Sequence, residues 1–463
     1  MSLYSRFFKE SQALTRLSLP IILSQVAYVL LGFLDTIMSG QAGSADQAAV
    51  ALGVAFWVPL FFTLTSVLQA VSPLVAHHFG AGNMAGIVHD TREGMWLSVF
   101  AGALSIVLLP AARPLMAALE IDAALIDKTH VFLLGIAVGL PAAMLFRVLS
   151  YYSASINQTQ PMMILAFLGL GVNALFNWLL IWGHWGLPAL GGAGCGWATA
   201  IGMWVALIAL AAWTAWSPAY RTCYLWHGWS WPHWETIRKL LKIGIPMGIA
   251  ALAEVGAFSS VALLVGRFGA EQIAAHQVAL NFSSVIFMIP VGLSTALSIR
   301  VGQTLGAGDA RGARFIAWSG IALGLLIAVC AIPLILFGRE AIVSFYSPDR
   351  NVQIIAANLM LFTAIWQLAD AAQVTAIGAL RGYKVTLPPM LMMLVAFWLI
   401  GLPVGAWLGY KGMGGLPPQG IYGFWIGLVT GLILVSCGLT FTLRKVSWAC
   451  LHTPRVATGE GLA

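Results

Sequence analysis

Residues 13–38 read ALTRLSLPIILSQVAYVLLGFLDTIM, a run broken by two formal charges, Arg16 and Asp35. Coiled into a helix, twenty-six residues extend about 39 Å, more than the roughly 30 Å of a bilayer's hydrocarbon core. Eleven more apolar runs follow, near 47–76, 94–112, 129–152, 161–183, 195–216, 243–265, 273–299, 315–338, 352–380, 386–409 and 420–443. Lipid offers no partner to backbone N–H and C=O groups, so each run is expected to be a transmembrane helix. Composition agrees. Charged residues make up 8% of the chain and hydrophobic residues 60%. A soluble domain carries about 25% charged residues to wet its surface. A water-soluble enzyme, a disordered chain and a secreted disulfide scaffold are therefore excluded. The five cysteines are scattered without C-x-x-C spacing and support neither a disulfide framework nor a zinc site. The opening MSLYSRFFKESQALTRL is polar and reads as no removable signal peptide.

Twelve spans put both termini on one side. With that side inside, sixteen of the 23 Lys and Arg fall inside and six outside, with Arg147 in a span. The positive-inside bias therefore predicts cytoplasmic termini. The segment 217–242 is the longest charged inner stretch and opens a second copy of the chain. A shift of 226 residues pairs Arg16 with Lys242, Pro20 with Pro246, Gly40 with Gly266 and FGAGN (79–83) with LGAGD (305–309). The expected architecture is all-α and polytopic, two six-helix bundles related by pseudo-two-fold symmetry. Its divisions are 1–216, a cytoplasmic linker at 217–242 with the start of helix 7, and 243–463 with a cytoplasmic tail.

Three acids, Asp35, Glu254 and Asp370, join Arg147 inside spans. A carboxylate at a helix centre costs about 2.5–3.5 kcal/mol on insertion scales, so such groups mark sites that bind something. Each has a plainer reading. Asp35 stands near the outer end of its run and could reach water. Asp370 could pair with Arg147, itself more readily structural than a substrate ligand. Under the shift of 226, Asp35 falls on Val261, Glu254 on Tyr28 and Asp370 on Met144, so the halves carry chemically different sites. In the first half, Asn173 and Asn177 stand one turn apart on a helical face. Thr199 could join them, and with Asp35 they would offer oxygen ligands to a monovalent cation or a proton relay. Helix-packing glue is the equal alternative. His276 reads as a packing residue. The GAG turns lack the G-K-[ST] of a phosphate loop. With no nucleotide site, an ion gradient must drive any transport. No filter motif points to a channel, and no nucleophile–base or metal set points to an enzyme.

GFLDTIMSG (32–40), LGGAGCGWATA (190–200), VALNFSS (278–284), ALRGYK (379–384), GFWIGLVTGL (423–432) and the Pro20 and Pro246 helix starts resemble the multidrug and toxic compound extrusion (MATE) family, most closely its NorM branch. The resemblance spans roughly 12–445. It implies a V-shaped pair of bundles that rock in alternating access. Na⁺ or H⁺ would enter as a cationic or zwitterionic amphipathic drug or dye leaves. It further implies an N-lobe coupling site at Asp35, Asn173, Asn177 and Thr199. A C-lobe site follows at Glu254 in ALAEV and Asp370 in QLADAAQ, where Na⁺ could bind, with Trp366, Asn281 and Arg147 as accessories. Ala253 stands where Phe is usual, and Trp366 and Phe397 where Tyr is usual. The two lost phenols leave Na⁺ and H⁺ both open. No cofactor besides the coupling ion and no nucleic-acid partner is expected. The chain is expected to be a monomer in the lipid bilayer of the cell's inner membrane. A flippase for lipid-linked precursors or polysaccharides is the alternative within the wider superfamily. Arg147, alone among basic residues at membrane depth, weighs against an anionic cargo.

Overall fold

The computed structural model describes residues 3–221, 223–228, 230–412 and 417–452. Among them there is no strand, and twelve helices are long and apolar enough to cross a membrane. They are α1 (Tyr4–Ala42), α2 (Ser44–Gly80), α3 (Met84–Ala118), α4 (Ala123–Ser155), α5 (Gln160–Trp182), α6 (Gly191–Trp216), α7 (Trp234–Phe268), α8 (Ala270–Gly306), α9 (Ala310–Tyr346), α10 (Arg350–Gly382), α11 (Leu387–Tyr410) and α12 (Ile421–His452). No expected span overruns its helix by more than one residue, and several helices run well past their apolar core. α3 starts at Met84 although its apolar run begins near 94, because a cap rather than hydrophobicity sets its start.

That cap shows the internal repeat in three dimensions. Gly82 and Gly308, 226 residues apart, both adopt left-handed φ, +69° and +81°. A side chain would be strained there, so glycine makes the turn. The next residue then caps the following helix. The Asn83 side-chain oxygen accepts the Gly86 N–H at 2.9 Å, and Asp309 Oδ1 accepts the Gly312 N–H at 2.7 Å. Asn and Asp cap equally well, so the exchange leaves the turn intact.

By packing, the chain divides into two units: Leu23–Gly248, and Met1–Ile22 with Ile249–Ala463. Both crossings fall inside helices, two residues beyond Pro20 and Pro246. A proline removes one backbone hydrogen bond and crowds the preceding turn, so packing partners can change there without ending the helix. The repeat-based divisions at 216 and 243 follow the sequence; the packing units cross them, and 217–242 packs within Leu23–Gly248. In that unit α4 meets α6 through backbone. A Cβ on Gly135 would lie 2.6 Å from the Gly196 carbonyl carbon, and one on Gly139 would lie 2.7 Å from the Ala200 Cα. Small residues four apart give membrane helices this close approach, which carries van der Waals packing where lipid supplies no hydrophobic drive. Phe132 and Tyr152 fill the core of this unit, and Phe397, Phe424 and Trp425 that of the other.

Candidate functional site

α1, α5 and α6 bring four polar side chains into one closed ring. Asn177 Nδ2 donates to Asp35 Oδ1 at 2.6 Å and to Asn173 Oδ1 at 3.0 Å. Asn173 Nδ2 donates to Thr199 Oγ1 at 2.9 Å, and the Thr199 hydroxyl donates to Asp35 Oδ2 at 3.1 Å. Asp35 is 6% exposed and the other three are 0%, so Asp35 does not reach out to water; protein surrounds it. Every donor in the ring is neutral. None of the five ion pairs among the described residues involves Asp35. Asn177 Oδ1 has no hydrogen-bond partner among the described residues. Packing glue would explain the ring but not a buried carboxylate without a counter-charge beside an idle acceptor, because buried charges are ordinarily paired or bind a cation.

A second cluster lies in the other unit, on α7 and α10. Gln373 Nε2 donates to Glu254 Oε1 at 3.2 Å. Asp370, 2% exposed, lies one turn before Gln373 and within electrostatic reach of Glu254. Asp370 Oδ2 and Gln373 Oε1 are both buried without a hydrogen-bond partner among the described residues. Arg381, further along α10, is a cation whose field reaches Glu254. Rings stand one turn away on both helices, Trp366 before Asp370 on α10 and Phe258 after Glu254 on α7. Trp366 stacks on Phe258 with centroids 5.0 Å apart, and Phe258 meets Phe397 at 6.1 Å. Phe397 belongs to Leu394–Gly401, where α11 widens into a π-helical stretch. Two carboxylates within electrostatic reach of each other, one of them with an idle oxygen, need a proton or a small cation to balance them.

A family model described as MatE matches residues 20–179 and 246–407. The chain belongs to the MATE family. The two matched segments begin at Pro20 and Pro246, the residues that the shift of 226 pairs. Among relatives, the multidrug resistance protein PmpM of Pseudomonas aeruginosa is 43% identical over 441 residues, covering 95% of this chain and 92% of its own. A probable multidrug resistance protein NorM of Chromobacterium violaceum is 40% identical over 444 residues, covering 96% of this chain and 95% of its own. The crystal structure of the eukaryotic MATE transporter AtDTX14 matches 95% of this chain and 96% of its own with a TM-score of 0.86. At 19% identity that likeness speaks for the fold.

Within this MATE chain, six of the residues singled out by sequence gather in two clusters: Asp35, Asn173, Asn177 and Thr199 in one, Glu254 and Asp370 in the other. Trp366 and Phe397 both pack on Phe258, whose neighbour in the chain is Ala257 rather than an acid. Arg147 finds its partners in its own unit. It donates to Gln25 Oε1 at 3.1 Å and lies 4.2 Å over the Tyr28 ring. Asn281 is exposed on α8. His276 is buried and accepts the Trp425 indole N–H at 3.1 Å, a packing role. Sequence reasoning missed Gln373, although QLADAAQ carried it three residues after Asp370, on the same helical face. It also missed Glu93. That residue lies just before the apolar run of α3 and so counted as a loop acid, yet it is wholly buried.

Proposed function

We propose that this MATE protein is an ion-coupled multidrug exporter, a transporter and not an enzyme, that expels cationic amphipathic compounds by alternating access. The observation that carries the reading is the chemistry of the two clusters. Each holds a buried carboxylate with no fixed hydrogen-bonded cation, and each leaves an acceptor idle, Asn177 Oδ1 in one and Asp370 Oδ2 with Gln373 Oε1 in the other. Coupling requires a ligand that prefers one conformation over another. A buried carboxylate supplies that preference. Ionised, it attracts an organic cation; protonated or bound to Na⁺, it does not. The names of the relatives, multidrug resistance proteins PmpM and NorM, favour drugs as cargo. The charge bias of the loops favours cytoplasmic termini in a bacterial inner membrane, and the duplicated twelve-helix chain needs no second copy to complete either cluster.

The experiment is transport in proteoliposomes with Na⁺ and pH gradients imposed separately. Ethidium should move against its own gradient when at least one of the two is present, and stop when both are collapsed. Concentrative transport with neither gradient would overturn the ion-coupled reading.

A further inference from the structure

Outside both clusters, two elements bring three metal-ligating side chains together. His89 and Glu93 stand four apart on α3, one turn apart on one face. His233 is the residue immediately before α7. One ligand atom from each of the three lies within 4.8 Å of the others. The Glu93 carboxylate is 0% exposed. Its Oε2 accepts the His233 backbone N–H at 2.9 Å, and its Oε1 lies 3.2 Å from His233 Nδ1. The His89 and His233 rings meet edge-on, centroids 5.3 Å apart. His89 Nε2 is bonded to Thr236 Oγ1 at 3.0 Å, which fixes the ring in place.

We propose that His89, Glu93 and His233 form a site for a divalent transition-metal ion, with zinc the best fit, which fastens the segment ahead of α7 to α3. Three arguments carry it. First, the donor set is right. Two imidazoles and one carboxylate suit zinc, with bonds of about 2.0–2.2 Å and a fourth position left to water. Tetrahedral ligands at that length sit about 3.4 Å apart, so side-chain rotations that close the present spread of up to 4.8 Å by about 1.4 Å complete the geometry. Second, Glu93 lacks a permanent counter-ion. Its ionic partner among the described residues is His233, charged only when protonated. The adjacent Arg92 is turned away and donates instead to the carbonyls of Leu225, at 2.8 Å, and His227, at 2.5 Å. Buried carboxylates are ordinarily paired or hold metal. Third, the site is held and reachable. Thr236 and the His233 N–H orient the ligands, as outer partners do in metal sites, while the His233 side chain is 61% exposed and gives an ion a way in. Capping of α7 by Glu93 accounts for Oε2 alone. It gives no reason for two imidazoles to converge on the same carboxylate.

The test is titration of the purified full-length protein, stripped with EDTA, in detergent micelles. Zn²⁺ is followed by calorimetry and Co²⁺ by its visible absorption. One Zn²⁺ per chain should bind and displace Co²⁺, and Mg²⁺ should not compete. His89→Ala and His233→Ala should each weaken binding by at least about tenfold. His184→Ala, distant in sequence and on another helix end, should leave the titration unchanged. Both histidine variants keep Glu93 as a cap, so they test the site even if Glu93→Gln fails to fold. Absence of Zn²⁺ binding to the parent protein, or binding untouched by both His89→Ala and His233→Ala, would overturn the proposal.

Discussion

Asp35→Asn separates a binding carboxylate from packing glue, because the ring around Asp35 can absorb the change. The asparagine oxygen can keep the acceptor role that Oδ1 plays toward Asn177 Nδ2. Its new amide N–H₂ then faces Thr199 Oγ1, which already accepts from Asn173 and has a second lone pair for the added donor. One bond reverses polarity, and the Thr199 O–H that donated to Asp35 Oδ2 has to turn to another acceptor. Hydrogen bonds between membrane helices are worth about 0.6 kcal/mol on average and at most about 1.7, which bounds the structural cost. The electrostatic loss is larger. A carboxylate about 4 Å from a monovalent cation gains about 4 kcal/mol at an effective dielectric near 20. At about 1.4 kcal/mol per decade, that approaches a thousandfold in affinity. The variant should therefore reach the membrane at the parent level, melt within a few degrees of it in detergent, and lose nearly all ethidium efflux from intact cells. Efflux at the parental rate would refute the coupling role. A collapse in melting temperature that accounts for the lost efflux would refute the claim that the ring tolerates an amide.

Three further outcomes follow from the same geometry. Glu254→Gln and Asp370→Asn, each measured by ethidium efflux at matched membrane levels, should lower efflux at least tenfold; parental activity in both would remove the second cluster from the mechanism. Gln373→Leu deletes the 3.2 Å bond to Glu254 and should weaken efflux about tenfold or more at matched membrane levels, since net hydrogen bonds to charged groups are worth about 1.5–3 kcal/mol. Gly135→Val drives a side chain into the Gly196–Trp197 backbone of α6 and should destabilise the protein by about 1–3 kcal/mol or more, read as loss of monodisperse protein after extraction.

How much of this was legible in the sequence depends on the period of the signal. Long apolar runs fixed the number and order of helices because burial in lipid acts on every residue of a span. The capped turns at Gly82 and Gly308 were legible through FGAGN and LGAGD, since a left-handed glycine followed by a capping side chain is a local requirement. The ring at Asp35 was half legible. Asn173 and Asn177 share a helical face by spacing alone, but their meeting with Thr199 and Asp35 is a tertiary fact that no local pattern states. Glu93 was illegible. A window that scores hydropathy places it in a loop, whereas the Asn83 cap starts α3 early enough to carry Glu93 into the interior. The packing units were likewise hidden, since a proline inside an unbroken helix does not announce that the partners change two residues later.

The repeat explains why the ionisable sites ended up unequal. Residues 28 and 147 of the first half correspond, under the shift of 226, to 254 and 373 of the second. The fold keeps each pair in contact: Arg147 lies 4.2 Å over the Tyr28 ring, and Gln373 Nε2 reaches Glu254 Oε1 at 3.2 Å. The neighbour relation survived and its sign reversed, from a guanidinium on a ring to a carboxylate under an amide. A cation is repelled from the first pair and drawn to the second. The first half then carries its acid elsewhere, at Asp35, whose repeat counterpart in the second half is the buried Val261. Two carboxylate clusters built at non-corresponding positions of a duplicated scaffold are not interchangeable. Under the exchange proposed above, a proton or Na⁺ held at one site would therefore leave the other with its own affinity.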